Sequence, residues 1–166
     1  MVAPAQPTIG KASKDKDVMG AIRQKKTGKQ AENVKLTMPQ IIESYFKTEN
    51  PNLDINKAMS SLSNFVKTKG TKFIQIGNTV FMITPQGKGN VELHTMTVEP
   101  MDTVVQRWKT IPKTLKEMGF KHLISYGLTP GINRLVQRTG LPVKISQSQM
   151  MQGDKMVPAY RYDLDL

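Results

Sequence analysis

The chain has 166 residues, with 24 Lys and Arg against 13 Asp and Glu, two His, no Cys and 38% hydrophobic residues, for a formal net charge of +11. That length supports one compact domain, or one domain with a tail. Zero Cys excludes a disulfide scaffold, a thiolate metal site and a Cys nucleophile; no apolar run approaches the roughly 20 residues that span a bilayer, and the start MVAPAQPTIGKASKDKD lacks a signal-peptide core, so the expectation is a soluble protein not secreted by that route.

Residues 1–37 carry Lys11, Lys14, Lys16, Arg23, Lys25, Lys26, Lys29 and Lys35 against Asp15, Asp17 and Glu32, a net +5 that leaves +6 on the other 129 residues. This segment has no aromatic residue and only scattered aliphatics. Burial cannot offset its ordering entropy, about 1–2 kcal/mol per backbone residue, so it reads as an extended arm ordered only on a partner. Residues 38–166 form the domain.

Thr37 is placed to cap a helix through MPQIIESYFKT, whose Ile41, Ile42, Tyr45 and Phe46 share a face. Asn50-Pro51 breaks it, and a second helix over 53–69 ends at Gly70. Three strands follow, KFIQIG, TVFMITP and VELHTMTV, joined by Gly77-Asn78 and by the loop PQGKGN at 85–90. The spacing of Val104, Val105, Trp108, Ile111, Leu115 and Met118 predicts a helix over 103–118, which Pro112 should kink or divide. A strand HLISYGL leads through Thr129-Pro130-Gly131 into a helix INRLVQRT, and a hairpin pairs LPVKISQSQM with VPAYRYDLDL. Tyr160, Arg161 and Tyr162 alternate as in an edge strand, whose DLDL end would keep other chains from pairing. The order α-α-β-β-β-α-β-α-β-β implies an α+β fold, a mixed, mostly antiparallel sheet with helices on both faces.

This order, with the Gly140-Leu141 end of the last helix, resembles the GNAT (Gcn5-related N-acetyltransferase) family over about residues 36–166. The family's additional first strand would come from around 34–36 or be missing. The resemblance implies three features. The first is a glycine-bearing loop at a helix N-terminus that binds the coenzyme A pyrophosphate through backbone N–H groups. The corresponding segment TVEPMDTVVQRWK has no glycine, and Glu99 and Asp102 place carboxylates where phosphates would sit. If the chain is enzymatic, the backbone of Met96, Val98 and Thr103 would bind the cofactor. The second is a general-acid Tyr in the last helix, where this chain has Val136; Tyr126 on the preceding strand is a substitute if it faces the same cleft. The third is a general base, for which Glu92 and His94 share a strand face, although alternating polar residues also make an ordinary solvent face. His94 and His122 have no third ligand at metal-binding spacing, so no metal is expected.

In size, basic arm and degraded motifs the chain is similar to acetyltransferase-like proteins of tailed bacteriophages that include internal virion components. That resemblance implies a non-catalytic virion structural protein of the head, interior, connector or tail, without a cofactor, assembled in the bacterial cytoplasm and present in many copies. Its arm would contact portal, capsid or tail subunits or packaged DNA. The alternatives are an N-acetyltransferase using acetyl-CoA through a divergent loop, and a non-specific nucleic-acid-binding protein. In the latter, Lys11, Lys14, Lys16, Arg23, Lys25, Lys26 and Lys29 would contact phosphates without an aromatic to stack on bases. Trp108 reads as core or as an interface anchor, and Lys109, Lys113, Lys116 and Lys121 as a solvated helix face or a second basic patch.

Overall fold

A computed structural model describes residues 34–166; Lys11, Lys14, Lys16, Arg23, Lys25, Lys26 and Lys29 lie outside the described residues. The elements run α1 (Met38–Glu49), α2 (Ile55–Lys69), β1 (Lys72–Ile76), β2 (Thr79–Gly87), β3 (Asn90–Thr97), α3 (Met101–Glu117), β4 (His122–Gly127), α4 (Pro130–Arg138), β5 (Lys144–Gln152) and β6 (Lys155–Asp165). They build one six-stranded sheet in the order β1-β2-β3-β4-β6-β5. Every neighbouring pair is antiparallel except β3 and β4, which are joined through α3.

Local chemistry sets the helix boundaries. The Gln40 side-chain oxygen accepts from the Thr37 N–H and hydroxyl at the start of α1, and Asp54 caps α2 by accepting from the Lys57 N–H. Gly70 closes α2 in the left-handed conformation at φ 64°. α3 begins at Met101 rather than Thr103, with Pro100 as its N-cap, and α4 begins at Pro130 rather than Ile132. Both prolines sit where a missing N–H costs no intrahelical bond. Pro112 does not divide α3. The fully buried Ile111 and Leu115 on either side of it hold the helix against the sheet, which offsets the lost backbone bond.

The strand period of two splits the core between the two sheet faces. Ile41 and Ile42 of α1 pack with Val80 and Met96 on one face. Ile111 and Leu115 of α3 pack with Phe81, Ile83, Val91, Leu93, Leu123 and Leu164 on the other. Helices thus cover both faces, as the α+β reading required.

The structure decides one alternative left by the sequence and corrects one expectation. Residues 34–36 form no strand. The Asn78 side chain accepts from the Leu36 N–H and donates to the Val34 carbonyl, and Gln75 donates to the Leu36 carbonyl; side chains thus take backbone groups that a strand would offer to a neighbour. The closing strand β6 is not an edge either. It lies between β4 and β5, so Tyr160, Arg161 and Tyr162 face a neighbour on both sides and β5 is the edge.

The core assignment makes a direct prediction. Replacing Ile111, 1% exposed between α3 and the sheet, by Ala should lower unfolding free energy by about 2–5 kcal/mol. Urea denaturation followed by circular dichroism checks it; a loss below about 0.5 kcal/mol, the range of surface substitutions, would contradict it.

Candidate functional site

β3 and β4 pair in parallel only where residues 90–92 meet 122–124. β3 then continues to Thr97 and β4 to Gly127 without further pairing to each other, so the sheet opens between them. On the α3 side the opening is crossed by side chains. The Ser125 hydroxyl donates to the Leu93 carbonyl at 2.8 Å, and the Trp108 indole N–H donates to Thr95 Oγ1 at 3.2 Å. Trp108 is therefore half-buried against the core and tied to the opening.

The opposite face carries the titratable residues. Glu92 and His94 lie on this face of β3, and because Glu92 is in register with Ile124, Tyr126 falls on the same face of β4 at the position corresponding to His94. His94 and Tyr126 flank the opening. Glu92 and His94 are not bonded to each other. The Glu92 carboxylate accepts from Gln86 Nε2 at 3.0 Å, while His94 Nε2 lies 3.5 Å from the Tyr45 hydroxyl of α1, with the two rings edge to face. Burial raises the Glu92 carboxyl above its ordinary value and lowers the His94 imidazole below its own. Burial, then the Glu49 charge, pushes the Tyr45 phenol up to about 12. The cluster therefore offers a neutral imidazole and a protonated phenol at pH 7. Tyr45 reads in the sequence as a core position; its pairing with His94 has no sequence signal, because 49 residues separate them.

Toward β6, the same face holds His122 between two carboxylates. Its Nδ1 lies 2.8 Å from Asp165 and its Nε2 3.0 Å from Asp163, which also accepts from Arg161. With both ring nitrogens engaged, His122 has no lone pair for a metal. Among the described residues no group of three His, Asp or Glu could hold one.

The start of α3 is where a diphosphate would have to bind, and most of the backbone donors there are engaged within the chain. The Val98 N–H donates to the Asn78 carbonyl and the Thr103 and Val104 N–H groups to the Pro100 carbonyl. The Glu99 N–H donates to Thr97 Oγ1, and Pro100 has no N–H. Two of the three backbone positions expected to bind a cofactor, Val98 and Thr103, thus have their donors occupied. Glu99 turns away from the helix axis toward the β1–β2 turn. Its carboxylate accepts from the Asn78 N–H at 3.0 Å, Thr79 Oγ1 at 2.7 Å, and Arg107 Nε and Nη2 at 3.1 and 3.0 Å. Burial would raise its pKa, but the bonds from Arg107, Asn78 and Thr79 outweigh that and hold it below the ordinary range. Asp102 pairs with Arg138 of α4. The two carboxylates expected to repel an anion are thus each paired with an arginine; what closes the segment is the engagement of its N–H groups. Of residues 97–103, Val98, Glu99 and Thr103 thus have no free N–H to offer a coenzyme A diphosphate.

This arrangement depends on Gly77. Its φ is 62°, and a Cβ there would fall inside contact distance of Glu99 Oε1 and the Arg107 guanidinium, so only glycine allows the turn to approach the ion pair. Val136, where the family's acid would stand, lies in α4 and has no proton to give.

No protein-family model matches the chain, and no curated protein matches it. Solved structures do. A putative acetyltransferase from Acinetobacter baylyi superposes with a TM-score of 0.57 at 11% identity, over 78% of this chain and 88% of the other. The ribosomal-protein-alanine N-acetyltransferase of Brucella melitensis gives 0.54 at 10%, over 77% and 94%, and a Bacillus subtilis acetyltransferase in complex with CoA gives 0.52 at 12%, over 79% and 94%. At such identities the likeness establishes the fold. The chain has a GNAT-like fold, and the strand opening occurs within it.

The His122 cluster sets a pH dependence. The hydrogen bonds that His122 donates to Asp163 and then Asp165 raise its pKa, so the folded state binds its proton more tightly than the unfolded chain. That stabilisation is fully present below about pH 6.5 and is lost as pH rises through the folded value. Arg161 beside it keeps its charge through this window. The stability advantage of the parent over His122→Gln, measured in urea, should therefore shrink as pH rises above about 6.5; an advantage that grows with pH would refute the charge pairing.

Proposed function

We propose that this chain is a non-catalytic GNAT-fold protein, a packing module of a tailed-phage virion whose basic N-terminal segment contacts neighbouring subunits or packaged DNA. The observation that carries the non-catalytic part is the use of the Val98, Glu99, Thr103 and Val104 N–H groups by the chain itself, with proline at position 100. A GNAT-fold domain in which these donors serve the chain itself keeps the sheet, both cores and the helix faces, which suffice for packing. The virion setting is supported by the resemblance in size, basic segment and degraded motifs. Residues 1–37, at net +5 without an aromatic, suit an acidic surface or a phosphate backbone.

A second reading is an N-acetyltransferase with a divergent cofactor loop, and the structural comparisons favour it over the first, since the fold neighbours are acetyltransferases and one holds CoA. It is also supported by the pairing of Tyr45 with His94 and by Tyr126 across the opening. In that reading His94 or Glu92 would be the base and Tyr126 or Tyr45 the acid.

Calorimetry of the full chain with acetyl-CoA separates the two. The first reading expects no saturable heat at micromolar ligand; micromolar binding would establish the second. Recovery of the chain from purified, nuclease-treated particles is the further result expected if it is a virion component, and its absence from them would end that part of the reading.

A further inference from the structure

The strand that forms the sheet's outer edge lacks the protections that edges ordinarily carry. β5 keeps an unbroken nine-pair register with β6, from Lys144 opposite Asp163 to Gln152 opposite Lys155. Its sequence KISQSQMMQ contains no proline and no acidic residue, and its single lysine is its first residue. Most of its side chains are exposed. The other edge, β1, has five residues and leaves little to pair with. A long, regular, nearly uncharged edge is a template for another strand.

We infer that the occupant is a second copy of this chain, with β5 pairing antiparallel to β5 about a two-fold axis through Ser148. The hairpin geometry fixes which backbone groups are available. Gln152 and Lys155 flank the two-residue turn of Gly153 and Asp154, so Gln152 and every second residue before it point their N–H and C=O groups inward to β6, while Ile145, Gln147, Gln149 and Met151 point theirs outward. An axis through Ser148 sets Gln147 opposite Gln149 of the second copy and Ile145 opposite Met151, all four being outward-directed residues that can exchange both backbone bonds. On the other face Ser148 meets its own copy, Ser146 meets Met150, and Lys144 meets Gln152.

The chemistry of this register is self-complementary. No like charges stand opposite each other, the two glutamine amides can bond side by side, and Ile145 covers Met151. Met151 is 58% exposed and its β6 partner Met156 is 55% exposed, so the pairing also shields apolar surface that the monomer leaves in water. This inference is independent of whether the chain transfers acetyl groups.

Sedimentation velocity of the full chain over a concentration series tests it. The parent should sediment as a dimer, at twice the 18.6 kDa chain mass. The variant Gln147→Lys/Gln149→Lys sets like charges opposite each other and should weaken the dimer at least tenfold, while Gln147→Lys/Gln149→Glu sets opposite charges there and should retain it. Both positions are exposed, so circular dichroism should report the same fold for all three proteins. A monomeric parent at every concentration, or equal sedimentation of the two double variants, would overturn the pairing.

Discussion

The Glu99 carboxylate is the constraint on which the arrangement around the opening depends. It accepts four hydrogen bonds, from the Asn78 N–H, the Thr79 hydroxyl and two nitrogens of Arg107, and its side chain is only 11% exposed. A largely buried carboxylate is tolerable only when its oxygens are so engaged. One residue thereby ties the β1–β2 turn to the end of β3 and to the first turns of α3. Gly77 is obligatory because the turn must reach the ion pair. Asn78, positioned by that turn, takes Val98 N–H with its carbonyl and residues 34–36 with its side chain.

The same constraint bears on how the segment before α3 could meet an anion. A helix N-terminus attracts phosphates when its N–H groups are free and the chain before it is small enough to let the phosphate approach. Here the segment before α3 hydrogen-bonds to the β1–β2 turn, to Thr97 and to Pro100. The opening between β3 and β4 persists, because the register of the parallel pair ends after three residues, but Ser125 and the Trp108–Thr95 pair cross it on the α3 side. What is left open lies on the other face, where Glu92, His94 and Tyr126 stand beside Tyr45 and the His122, Asp163 and Arg161 cluster.

Much of the fold was legible in the sequence, since periodicities of 3.6 and 2 and the Gly, Asn and Pro punctuation mark all ten elements and both buried faces. Strand order was not. Nothing in VPAYRYDLDL distinguishes an inner strand from an edge, because β6 carries charge on one face and Tyr162 and Leu164 on the other, and insertion between β4 and β5 is decided by the whole sheet. The site was legible by residue type and not by partner. Glu92, His94 and Tyr126 do share a face, as strand alternation requires, but Tyr45 and Gln86 arrive from other elements. Glu99 reads as a repulsive charge until Arg107, eight residues on, is seen to bind it.

The central claim is that four N–H groups around the start of α3, those of Val98, Glu99, Thr103 and Val104, are taken by the chain itself, and amide-resolved NMR of the full chain titrated with coenzyme A tests it most directly. The account predicts that the amide signals of Val98, Glu99, Thr103 and Val104 stay in place and remain protected from exchange up to millimolar ligand. Saturable shifts at these four amides, with loss of their protection, would mean that the loop releases its internal bonds to hold a diphosphate, and would contradict it.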